Sequence, residues 1–271
     1  MSKNAVAVKE SAEVVEASLP AGYDLDELQR DAAANPQLSA ADIAIPFLVI
    51  LQTNSPQVNP AKTQYIPGAT AGMIYNSVSG EVYDGRTQGV VIVPCAYHRA
   101  YVEWVHRDNG GGWVAEHSID SDILSRTTLD EKKKPRLENG NVITETAYNY
   151  VLFQNPTTGA WSQALVAMSS THLKANRKLN QMITASKIPG TDIQAPRFLY
   201  AYQLTSTIET KGENAFFVPE LKKIESPIEV TLYRHAKKYA EAVNSGKVQV
   251  GAATQVPAAE ESIDPETGEI L

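Results

Sequence analysis

Residues 97–107, YHRAYVEWVHR, bring three large aromatic rings, two arginines and two histidines into eleven positions. Such a set could ligate a metal, move protons, or hold a polynucleotide by stacking bases and pairing phosphates. On the two-residue period of a β-strand, Tyr97, Arg99, Tyr101, Glu103, Val105 and Arg107 share one face, and His98, Ala100, Val102, Trp104 and His106 share the other. The first face alternates rings with cations, which is what sequence-independent binding of single strands requires, at about 1–3 kcal/mol per stacked base. The second face suits burial.

The same chemistry recurs twice. In RFLYAYQ, Arg197 precedes Phe198, Tyr200 and Tyr202, with the three rings on one side of a strand. In THLKANRKLNQMITASK, residues 171–187, the period becomes helical. Lys174, Arg177, Lys178 and Gln181 form a basic stripe opposite Ala175, Leu179, Met182 and Ile183. Arginine and lysine beside stackable rings thus come from two strands and one helix.

Competing chemistries lack their spacings. His98, His106 and His117 with Glu103, Asp108 and Glu116 match no HExxH, HxH or paired-carboxylate pattern, so no metal and no cofactor is expected. Cys95 follows Pro94 at a strand end, without the flanking residues of a nucleophile. The run GGG at 110–112 is not followed by the GK[ST] and helix of a P-loop, and reads as a hairpin turn. Ser169, Ser170 and Thr171 stand where residues cap a helix. The chain reads as a non-enzyme.

The elements that position these residues follow from punctuation and period. From Ala41, Pro and Gly recur every eight to twelve residues, the spacing of an antiparallel β domain. VITETAYNYVLFQ and WSQALVAMS form a hairpin across NPTTG. Residues 120–140, with KKKPR at 132–136, read as an exposed polar excursion, and Ser226 with Pro227 as the start of a terminal helix. Residues 1–40 read as a partly disordered arm with a short helix near 23–34. Residues 41–245 are the globular domain, and residues 246–271, poor in apolar periodicity, a disordered acidic tail. The fold expected is mainly β (α+β): an OB-like small β-barrel with an inserted helix and a C-terminal helix.

Of 271 residues, 43% are hydrophobic, enough for a core. The longest apolar run, Ile43 to Leu51, contains Pro46 and is far below the ~20 residues that span a bilayer, so no membrane association is expected. One cysteine and no secretory pattern at the start point to the cytoplasm. The net charge of −7 divides unevenly: residues 1–31 carry −4, residues 251–271 carry −5, and the centre is left at +2. An acidic end can occupy a cationic groove until DNA displaces it, which frees its apolar tip.

The aromatic and basic strands, the helix THLKANRKLNQMI between strand blocks, and the end EESIDPETGEIL together resemble phage-encoded single-stranded DNA-binding proteins. IPFLVILQTNSPQVN, YIPGATAG and GEVYDG are also similar to segments of small phage replication and recombination proteins. The resemblance implies an OB-fold core, multi-copy coverage of single strands, and contact with replication or recombination proteins through Glu260, Glu261, Asp264, Glu266, Glu269, Ile270 and Leu271. The expected DNA-binding residues are Tyr97, Arg99, Tyr101, Arg107, Lys174, Arg177, Lys178, Arg197, Tyr200 and Tyr202. The expected role is binding and protecting single-stranded DNA, without strong sequence preference, in phage replication or recombination. A strand-annealing protein or mediator, which would form rings or filaments, and a virion or assembly protein without nucleic-acid binding are the alternatives.

Overall fold

The computed structural model describes residues 22–34, 44–106, 109–131, 133–212 and 214–248. The chain divides into two compact units, residues 1–39 and 40–271. In the first, helix α1 (Leu25–Ala33) starts at Asp24, whose Oδ1 accepts the Asp26 N–H at 2.9 Å, and has acids in its first turn and Arg30 in its last. Those charges oppose the helix dipole at both ends.

The second unit is mainly β, an OB-like half-barrel with helices. A small sheet holds β1 (Leu48–Ile50), β2 (Ile74–Asn76) and β3 (Val82–Tyr83). The large sheet is built on β4 (Val90–Trp104) and β8 (Val142–Gln154), antiparallel along nearly their whole lengths. Along its other edge β4 is shared. Val90–Ile92 pair with β10 (Tyr200–Lys211), and Ala100–Trp104 pair with β5 (Trp113–Ser118). Strand β9 (Trp161–Ser169) pairs with β8 across the turn beginning at Asn155, and β11 (Asn214–Pro227) pairs with β10.

The segment expected to be an exposed excursion is partly structured. It forms a 3-10 turn (Ile123–Arg126), β6 (Thr128–Leu129) and β7 (Pro135–Arg136), which extend the sheet from Val142 of β8. Ile123 and Lys134 are buried, and Arg136 Nε donates to Asp130 Oδ2 at 2.6 Å. The Lys134 N–H also donates to Asp130 Oδ1 at 2.8 Å, so one carboxylate ties the polar run together across β6 and β7.

Both faces of the β4–β8 pair are buried near its closed end. Ala147, Val151 and Phe153 face inward with Ile92, Val166, Tyr202 and Leu204, whereas Tyr148, Tyr150 and Leu152 pack with Ala236, Tyr239 and Ala240 of α3 (Val230–Asn244). Helix α2 (Leu173–Ala185) buries Leu179 and Ile183 against the inward side. Its predicted apolar side is the one buried. No side chain caps it; Ser169 ends β9, and Ser170 and Thr171 belong to a 3-10 turn (Ser170–His172) that leads into the helix. Ser226 and Pro227 end β11, and α3 begins later, with Glu229 Oε1 accepting the Thr231 N–H.

A bulge at Cys95 sets the faces of β4. The register shifts between Pro94 and Ala96, so the inward parity passes from Val90 and Ile92 to Tyr97, Arg99 and Tyr101. Pro94 sits beside the extra residue, where the lost N–H costs the ladder least.

The small sheet closes the open side of the half-barrel. At one end Leu165 N of β9 donates to Pro46 O at 2.8 Å. At the other, the Gln52 amide pairs with the β11 backbone: Nε2 donates to Phe217 O at 2.8 Å and Oε1 accepts the Phe217 N–H at 2.8 Å. His172 Nε2 donates to the same carbonyl at 3.2 Å, and burial pulls that imidazole below its ordinary pKa. Beside them Ser206 N donates to Gly85 O at 2.7 Å, and a Cβ on Gly85 would lie 2.1 Å from Gly72 O, so only glycine lets the two turns meet. Gln52→Leu strips the Phe217 N–H of its partner and takes one donor from the carbonyl. At about 1–3 kcal/mol per unmet buried group, the expected loss is about 2–4 kcal/mol in urea unfolding. A loss below about 0.5 kcal/mol would show that the closure is held elsewhere.

Candidate nucleic-acid interface

Past the bulge, the inward face of β4 runs out from under the covering helix and changes from core to surface. Tyr97, the first residue, is half-buried. Its hydroxyl accepts a hydrogen bond from Asn176 Nδ2 at 3.1 Å, and the Arg197 guanidinium lies 5.1 Å from its ring centroid. Arg197 Nη1 donates to Asn180 Oδ1 at 2.9 Å and Nη2 to Asn149 Oδ1 at 2.7 Å. Asn149 Nδ2 in turn donates to Asn176 Oδ1 at 3.0 Å. Strand β8, helix α2 and the segment before β10 are thus tied together by one ring, three amides and a cation.

The charge on that cation has no acidic counterpart among the described residues. Its electrostatic neighbours are Tyr97, Tyr202 and Cys95, and its buried Nε makes no hydrogen bond. Burial draws the guanidinium down from its ordinary pKa, although an arginine stays protonated.

Further out, Arg99 is exposed and ion-paired with Glu145 of β8. Tyr101 is half-buried between its cross-strand neighbours His117 and Glu145. Glu103 is buried, which by itself raises a carboxyl pKa. Hydrogen bonds from Asn141 Nδ2 at 2.5 Å and His117 Nε2 at 2.9 Å outweigh that and hold it below the ordinary range. On α2, Lys174 pairs with Glu209 at 3.4 Å, whereas Arg177 and Lys178 are exposed and without an acidic partner among the described residues.

Two expected stacking rings are core side chains. Tyr200 is 5% exposed, with its hydroxyl donating to Lys187 O at 2.8 Å and Lys223 Nζ 3.8 Å from its centroid; Tyr202 is 1% exposed. Phe198 lies before β10 and packs against Tyr233 at 5.2 Å on the opposite layer, so the alternation from 198 to 202 is broken at the strand start. Arg107 and the tail residues Glu260, Glu261, Asp264, Glu266, Glu269, Ile270 and Leu271 lie outside the described residues. The structure therefore joins Tyr97 with Arg197 beside α2 and removes Tyr200 and Tyr202 from any exposed platform.

Among the described residues no group of three or more His, Cys, Asp or Glu side chains could hold a metal ion. Burial pushes the Cys95 thiol up to about 12, which keeps it protonated at neutral pH. His98, on the face expected to be buried, is exposed. It joins β4 to β5 through Glu116 Oε1 at 2.8 Å, with its ring stacked on Tyr148 at 6.2 Å. The amides Asn149, Asn176 and Asn180 were not foreseen. The signal for Asn149 was a polar residue inside AYNYVLF, and for Asn176 its place beside the apolar side of α2.

The fold and this surface define a mainly β, OB-like protein with a mixed aromatic and cationic face beside a helix. A family model described as Pam3 phage gp34-like protein matches residues 15–249. The chain belongs to that family, which makes it a phage protein. No match was found among curated proteins or among solved structures. No helix among the described residues is long and apolar enough to cross a membrane.

The His98–Glu116 pair has a defined pH response. The hydrogen bond to Glu116 raises the His98 pKa against the opposing effect of burial. A raised folded-state value means that the pair stabilises fully below the unfolded value of about 6.5 and that this contribution is lost as pH rises through the folded value. Glu116→Gln is expected to lower the His98 pKa in an NMR titration; an unchanged value would mean that the pair does not form in solution.

Proposed function

We propose that this protein binds single-stranded DNA, without strong preference for sequence, in phage DNA replication or recombination. The observation that carries this reading is the outward run of one strand face, Tyr97 under Arg197, then Arg99, then Tyr101, joined at Tyr97 to α2, which exposes Arg177 and Lys178. Rings offer a π-face to any base, and cations track the phosphates without reading sequence. The mildly basic centre of the chain, +2 over residues 32–250 against −7 overall, supports the same reading. In it, the chain is not an enzyme and acts in multiple copies in the host cytoplasm. The acidic stretch 251–271 meets replication or recombination proteins.

Fluorescence anisotropy with labelled oligo-dT tests it. Affinity is expected to fall steeply with salt. Replacing both Arg177 and Lys178 by Ala removes up to two phosphate contacts and should flatten the log–log salt slope by about 1.4, at about 0.7 per contact on a single strand. Tyr101→Ala should weaken binding by about five- to a hundredfold while the domain stays folded, whereas replacing Trp104, which packs against the outer-layer core, by Ala should mainly lower thermal stability. Pairing of complementary strands by the bound protein would move the reading to an annealing protein. An absence of binding at low salt would overturn it in favour of an assembly protein making protein contacts only.

A further inference from the structure

We propose that the Arg197 cluster is a seat for one phosphate oxyanion, and that it grips a single phosphodiester of the bound strand. The proposal rests on the single-stranded DNA reading for its source and on geometry for its chemistry. Of the five N–H donors of a guanidinium, two are committed to Asn180 Oδ1 at 2.9 Å and Asn149 Oδ1 at 2.7 Å, both neutral acceptors. The buried Nε has no partner. Groups around it are Tyr97, 5.1 Å from ring centroid to guanidinium, with Tyr202 and Cys95, none of them a carboxylate. Buried cations are ordinarily matched by a carboxylate or a bound anion, and here the described residues supply no carboxylate. The residue itself stays partly open to solvent.

The amides hold the cation in place from behind. Asn149 is fully buried and is fixed by Asn176, which also donates to the Tyr97 hydroxyl, so the arginine plane cannot turn without breaking its two hydrogen bonds, to Asn149 and Asn180. Asn180 bonds only Arg197 in this set, which makes it the position at which a counter-charge can be introduced with least disturbance.

Thermal unfolding of the full chain in inorganic phosphate, against sodium chloride at matched ionic strength, reads the seat without DNA. Wild type should gain melting temperature in phosphate beyond chloride, as any ligand of the native state produces. Asn180→Asp supplies the missing carboxylate internally. It should melt higher than wild type in chloride, lose the phosphate increment, and bind oligo-dT about ten- to a hundredfold more weakly. Arg197→Met, which removes the charge, should also lose the increment. Lys237→Ala, on α3 and outside the proposed interface, should keep it. No increment in wild type, or a full increment in Asn180→Asp, overturns the seat. An increment without oligo-dT binding leaves the seat standing and removes the DNA reading, with the phosphate coming from another source. Equal oligo-dT binding by wild type and Asn180→Asp, with no phosphate increment, does the reverse.

Discussion

The amide of Gln52 does the work of a strand. Two edges of the curled sheet, β9 and β11, face the small sheet, and an edge must find hydrogen-bond partners or remain a pairing hazard. The small sheet meets β9 with a backbone carbonyl and β11 with a side chain, whose two bonds to Phe217 reproduce the paired N–H and C=O of a ladder. Pro219, two residues on, stands at the same edge parity as Phe217 and has no N–H to leave unmet. One amide therefore completes an enclosure that a strand of three residues is too short to complete. His172 shares the same carbonyl, so the approach to α2 is tied to the closure, and α2 in turn delivers Asn176 and Asn180 to Arg197.

Magnitudes show why the Arg197 cluster is unusual. A cation over an aromatic ring gains about 0.5–2 kcal/mol. Taking an ion substantially out of water costs several kcal/mol even after relaxation. Two hydrogen bonds to amide oxygens, at about 1.5–3 kcal/mol each for a charged donor, bring the balance near zero without making the arrangement favourable. A methionine of similar reach would pack there at lower cost in stability. A fold that retains the arginine is tolerating a charge it does not need for packing, in contrast to Arg99 and Lys174, whose carboxylate partners are at hand.

Much of the fold was legible because it follows period and punctuation. The β8–β9 hairpin, the amphipathic α2 and the two-faced β4 come directly from spacing, but burial along β4 does not follow the faces throughout: His98, on the face expected to be buried, is exposed, and Glu103, on the other, is buried. What failed was information that no local pattern holds. Ser226 and Pro227 have the composition of a helix start, yet the pairing of β11 with β10 extends to Pro227 opposite Tyr200, and the ladder outweighs the local preference. The short strands β6 and β7 follow no period; Asp130 holds them through Arg136 and the Lys134 N–H, and Ile123 is buried nearby in sequence. The three asparagines carry no motif, only the anomaly of polar side chains on apolar faces.

The contrast between Tyr97 and Tyr202 locates the limit more closely. Both stand on the inward face of antiparallel strands in one sheet, both neighbour the Arg197 guanidinium, and both alternate with residues of the outer layer. Tyr202 pairs with Ile92, before the bulge, where α2 and the small sheet close over the face; Tyr97 pairs with Asn149, after it, where the cover ends. Alternation says which residues share a side, but the distance along the strand from the covering elements decides whether that side is core or surface. A single strand of fifteen residues crosses that boundary, and its bulge falls close to it. The candidate interface is therefore the barrel's own interior face, continued past the point where the rest of the chain stops burying it.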